Sequence, residues 1–118
     1  MIESDADSVY AQNGIQFGYG ATGQVLRNKV ITDWYLGDNW TASEILIFEA
    51  DNISVKQNEV LNTQTGIGIE TWDWYCSTAS ENVVANNTIN NSDWGITITA
   101  VSWDGGDKRC HVKILCRP

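Results

Sequence analysis

The sequence predicts an all-β chain wound as a short parallel β-helix of about four coils with inserted loops. Three observations carry that expectation. A set of positions recurs in register, the apolar residues alternate with a period of two, and an asparagine stands at the same place in successive units. Residues 82–98 are the clearest unit: Val84, Asn87, Ile89, then Ile96 and Ile98 after a polar run. One unit earlier stand Val55, Asn58, Val60, Ile67 and Ile69, and before that Val25, Asn28 and Val30. The steps from 60 to 67 and from 89 to 96 are both seven, and those from 17 to 25 and from 47 to 55 are both eight. Internal repetition of this kind is the mark of a fold built from stacked units.

Each apolar pair (Ile15 and Phe17, Ile45 and Ile47, Ile67 and Ile69, Ile96 and Ile98) is split by one residue, the two-residue period of a strand. No window carries a sustained i, i+3, i+4, i+7 apolar stripe. One short strand cannot bury its apolar face, whereas equivalent strands stacked about 4.8 Å apart share a continuous core. Asn28, Asn58 and Asn87 would then lie above one another and bond along the stack through amide donors and acceptors. Asparagine also tolerates the left-handed conformation of a corner.

The 118 residues suffice for one domain with a modest core. Residues 1–12 are polar and read as an N-terminal arm or cap, 13–98 as the repeating coils, and 99–118 as a last loop and terminal strand. Three insertions interrupt the frame, around 33–43, 70–80 and 100–109, and they hold five of the six tryptophans. If Val112 opens the final strand in the place of Val84, the second and third insertions leave the same point of successive coils. They then put Trp72, Asp73, Trp74 and Tyr75 beside Trp103 and Asp104, with Glu70 at the edge.

The segments "NVVANNTI" followed by "GITI", and "NISVKQNEV" followed by "TGIGI", resemble the repeats of right-handed parallel β-helix proteins of the pectin-lyase-like superfamily, NosD-type repeats most of all. The resemblance covers about residues 13–98 and lies at the level of the repeat. It implies a right-handed coil and polysaccharide as a ligand class. The hydrolases of that superfamily carry clustered aspartates on successive coils, and this chain has no such cluster. The lyases use calcium and a basic residue, and outside the last eleven residues only Arg27, Lys29 and Lys56 are basic. The NosD label implies copper, but one His and one Met offer too few ligands.

Charge narrows the partners. Residues 1–107 carry all 15 acids and three bases, a net −12, and residues 108–118 carry Lys108, Arg109, Lys113 and Arg117, a net +4. An acidic body argues against nucleic acid and anionic membrane. The basic tail is either a solvated terminal strand or a dock for an acidic neighbour such as another copy. The N-terminus, acidic and followed by no long apolar run, has no signal-peptide pattern, which leaves a cytoplasmic chain or a mature secreted fragment. Cys76, Cys110 and Cys116 cannot all pair within one chain; free thiols are expected, with a Cys76–Cys110 bond as the alternative if the loop holding Cys76 reaches the last strand.

The expected activity is binding without catalysis. Flat indole faces beside carboxylates suit stacking on a sugar ring with hydroxyls bonded to Asp and Glu, so Glu70, Trp72, Asp73, Trp74, Tyr75, Trp103 and Asp104 form the expected carbohydrate-like ligand surface. The competing reading makes the same aromatics a subunit contact of a self-assembling β-helix, since Trp and Tyr are enriched at interfaces. A third, a polysaccharide hydrolase or lyase, would need a carboxylate pair such as Glu70 with Asp73 or Asp104. No cofactor and no metal are expected: Cys110-His111 with Cys116 lacks zinc spacing, and Asp104-Gly105-Gly106-Asp107 reads as a turn. A column this short exposes its ends, so a homo-oligomer is expected.

Overall fold

The computed structural model describes residues 13–31, 42–72 and 79–101, with the backbone alone at 2–3, 72, 100–101 and 112–116. The described chain is all-β, and its strands pair in parallel within two sheets that curl into a half-barrel. The strands are β1 (Ile2–Glu3), β2 (Asn13–Gly18), β3 (Gly23–Leu26), β4 (Lys29–Ile31), β5 (Ser43–Phe48), β6 (Ile53–Lys56), β7 (Glu59–Trp72), β8 (Ala79–Ala85), β9 (Thr88–Val101) and β10 (Val112–Cys116).

Three ladders result. One runs β3, β6, β8, β10. The other two share the long strands: β1 and β4 stack on Glu59–Leu61 of β7, and β2 and β5 on its later part. Strand β9 lies along β7 from Thr88 opposite Glu59 to Val101 opposite Trp72. The long strands turn from one ladder to the next at Asn62 and Asn91, which take positive φ of 55° and 54° and join through Asn91 Nδ2 donating to Asn62 Oδ1 at 2.8 Å.

Through residue 98 the expected register is the observed one. Val25 faces Val55 and Val55 faces Val84; Val30 faces Val60 and Val60 faces Ile89. Ile15, Ile45, Ile67 and Ile96 form one file, and Phe17, Ile47, Ile69 and Ile98 the next. Alternation sends these side chains inward, and Val30, Ile45, Ile47, Val55, Val60, Ile67 and Ile69 are fully buried. Each such burial contributes about 1.5–3 kcal/mol.

Three details correct the sequence reading. The left-handed residue of the asparagine corner is the one before the asparagine: Arg27, Gln57 and Asn86 have φ of 53°, 57° and 55°. Asn28, Asn58 and Asn87 instead form the ladder. Asn58 Oδ1 accepts from Asn28 N at 2.9 Å and Asn28 Nδ2 at 3.2 Å, and Asn87 Oδ1 accepts from Asn58 N at 3.0 Å and Asn58 Nδ2 at 2.9 Å. Nδ2 of Asn58 and of Asn87 also reach back to Val25 O and Val55 O, so each amide satisfies backbone groups that a sharp corner would orphan.

Second, the residue beside Val84 in the last strand is Cys116, while Val112 pairs with Ala79. The third insertion is thus four residues longer than the count based on Val112. Third, Ile96 and Ile98, which sequence alternation assigns to the core, are 48% and 52% exposed, because among the described residues no strand follows β9 in the ladder.

The face of β5 opposite the core is closed as well. Glu44 is fully buried and Leu46 8% exposed, and the nearest atoms to a Cβ built on Gly68 are Ser43 Oγ at 2.8 Å and Leu46 Cδ1 at 3.2 Å. Gly68 therefore makes room for the side chains of the neighbouring strand.

Candidate ligand surface at the Trp and Asp segments

Of the expected ligand residues, Glu70 and the backbone of Trp72 are described, at the end of the long strand β7. Strand β7 runs through Glu70 to Trp72, longer than the sequence reading allowed, because Thr71 is buried and the ladder to β9 continues to the last pair. Glu70 is half-buried between Phe48 and Thr99, and its carbonyl accepts the Glu49 N–H at 2.9 Å. The Trp72 backbone lies opposite that of Val101. Asp73, Trp74 and Tyr75 fall in 73–78, and Trp103 and Asp104 in 102–111, both outside the described residues, as do Cys76 and Cys110.

The backbone nevertheless defines where both segments begin and end. They depart from paired positions, Trp72 and Val101, and return at paired positions, Ala79 and Val112. Neighbouring strands lie about 4.8 Å apart, so the two segments share both anchor points at one ladder spacing. The pairing of these anchor points rests on the parallel register. The insertion around 33–43, with Trp34 and Trp40, lies outside the described residues apart from Ala42 and Ser43. It departs after Ile31 and returns at Ala42, whose N–H donates to Gln64 Oε1 at 2.8 Å. It therefore belongs to a different corner.

Of the carboxylates that a hydrolase would pair, only Glu70 lies among the described residues. No group of three or more metal-ligating side chains occurs among the described residues, and His111 lies outside them. No helix among them is long and apolar enough to cross a membrane.

Sequence reasoning overlooked two features. Asp51 is a second corner device: Ser80 N and Ser80 Oγ both donate to its Oδ1, at 2.6 and 2.9 Å. Asn82 is a buried bridge outside the asparagine frame, with Ile53 N donating to its Oδ1 and its Nδ2 donating to Ala50 O. The second signal was present, since an asparagine at an inward strand position needs partners. No family model, curated protein or solved structure matches this chain.

Proposed function

We propose that the chain is a short right-handed parallel β-helix of the pectin-lyase-like, NosD-repeat kind that serves as a non-catalytic binding module for a carbohydrate-like ligand. The observation that carries the reading is the shared anchoring of 73–78 and 102–111, whose ends pair at Trp72–Val101 and Ala79–Val112. The proposed ligand surface consists of Trp72, Trp74, Tyr75 and Trp103 with Asp73 and Asp104, from the two segments that these anchor pairs bound. Indole faces supply apolar stacking area at low entropic cost, and carboxylates accept hydroxyl protons. The coil itself is supported by parallel partners 29 and 30 residues apart, as in Val25–Val55 and Val55–Val84, and by the asparagine ladder.

The test is a screen of plant and microbial polysaccharides with the purified chain, followed by titration of Trp72→Ala and Trp103→Ala. Loss of binding with an unchanged circular-dichroism spectrum is expected. A chain that retains no glycan, or variants that bind like the wild type, would overturn the reading.

A further inference from the structure

Asparagine serves two separate purposes in this chain. Ten asparagines lie among the described residues. Asn28, Asn58 and Asn87 form the ladder, and Asn82 bridges Ile53 N and Ala50 O. Asn62 and Asn91 join at the corner of the long strands, and Asn13 bonds Gln16 Oε1 and Ser43 N. The side chains of the other three, Asn52, Asn86 and Asn90, are exposed and hydrogen-bond to none of the described residues.

The same three, and no other described asparagine, open the triplet Asn-X-Ser/Thr: Asn52-Ile53-Ser54, Asn86-Asn87-Thr88 and Asn90-Asn91-Ser92. That triplet, with any residue but proline in the middle, is the acceptor signal for N-linked glycosylation, and an exposed surface position is the structural context it requires. A fourth triplet, Asn39-Trp40-Thr41, lies outside the described residues.

The register gives the physical reason for the division. Two positions after each ladder or bridge asparagine stands a residue that packs in the core: Val30 after Asn28, Val60 after Asn58, Val84 after Asn82 and Ile89 after Asn87. No hydroxyl can stand there without burial in an apolar file. Two positions after Asn52, Asn86 and Asn90 stand Ser54, Thr88 and Ser92, all half-buried or exposed. A sugar on a ladder amide would also break the stack. Asn58 Nδ2 uses both N–H groups, donating to Val25 O and to Asn87 Oδ1 at 2.9 Å each, and glycosylation removes one of them and sets a sugar between coils. Asn52 and Asn86 instead occupy corners, with positive φ of 57° and 55°, and Asn90 stands on β9 opposite Leu61. Their amides give up no bond to a described residue when modified.

We propose that Asn52, Asn86 and Asn90 are modification sites that carry N-linked glycans, which commits the chain to export. In the transfer, Nδ2 attacks the anomeric carbon of a lipid-diphosphate-linked oligosaccharide. The N–C1 bond forms, the C1–O bond breaks, the lipid diphosphate leaves with the electron pair, and a base takes one amide proton. A transferase reads the triplet in extended chain, and the fold must then leave room for the sugar. Exposure at these three positions leaves that room. The proposal does not depend on the ligand surface at the Trp and Asp segments.

The test compares the full chain isolated from its own organism with the same chain made in a host that lacks an oligosaccharide transferase. Intact mass should show glycan increments, and mapping of the glycopeptides should place them on Asn52, Asn86 and Asn90 and on none of Asn28, Asn58, Asn82 and Asn87. Secreted from cultured eukaryotic cells behind a supplied leader, the chain should take the same three increments. Ser54→Ala, Thr88→Ala and Ser92→Ala should each remove one of them while leaving the asparagine in place. The glycosylated and unmodified chains should share one circular-dichroism spectrum. A bare chain from the source, any of the three triplets left unmodified in the secreted chain, or a glycosylated chain that fails to fold would overturn the proposal.

Discussion

Replacement of Asn58 by alanine probes what holds the corners of the stack. The Asn58 side chain is 2% exposed, and its Oδ1 accepts from Asn28 N and Nδ2 while its Nδ2 donates to Val25 O and to Asn87 Oδ1, each at 2.9 Å. Asn58→Ala leaves two backbone groups, Asn28 N–H and Val25 C=O, without these partners. Asn87 Oδ1 keeps the Asn58 N–H. A buried polar group left unmet costs about 1–3 kcal/mol. Asn28 is itself half-buried, so water reaches one of the two sites, and the expected loss is about 2–4 kcal/mol. That is a large share of the roughly 5–15 kcal/mol that stabilises a domain. Asn58→Asp keeps the acceptor but turns a carboxylate oxygen toward Val25 O and Asn87 Oδ1. The folded state then disfavours the charged form, so its pKa rises on folding. The penalty relative to wild type is full above that raised pKa and shrinks as pH falls through it.

The control is Asn91→Gly, which removes the same amide-to-amide bond to Asn62 at an exposed site while leaving the positive φ of 54° unstrained, and should cost less than about 0.5 kcal/mol. Urea unfolding followed by far-ultraviolet circular dichroism, with equal m-values required, measures both. An Asn58→Ala loss below about 0.5 kcal/mol, or equal losses for the two variants, would refute the claim that burial gives the ladder its strength.

Two further matched pairs test the stack. Ile67→Ala should lower stability by about 2–5 kcal/mol, because a fully buried side chain leaves a cavity, while Ile96→Ala one strand away should cost less than half as much in the same unfolding assay. Gly66→Ala would set a methyl 2.6 Å from Gly95 O and 2.7 Å from Ile89 Cγ2, and should cost about 1–3 kcal/mol, read as a lower thermal midpoint. Gly95→Ala meets nothing within 4 Å and should leave that midpoint within a degree or two.

The candidate site was legible in part. Indoles and carboxylates clustered in insertions are visible in the sequence, and so is the equivalence of their points of departure. The exact extent was not. Strand β7 continues to Trp72 because β9 runs beside it to the last pair, and the return at Ala79 depends on where β10 sits, which Val112 alone misplaced.

By itself the sequence determined which residues belong to one file. Val25, Val55 and Val84, or Asn28, Asn58 and Asn87, are set by local alternation and a fixed number of steps, and both survive any detail of packing. The tertiary structure alone decided which members of a file are buried. Ile67 and Ile96 share chemistry, register and direction, yet one is fully buried and the other half exposed. The difference lies in the next strand. An inward direction is a property of one residue, but burial requires neighbours on both sides, and the last strand of a stack has only one.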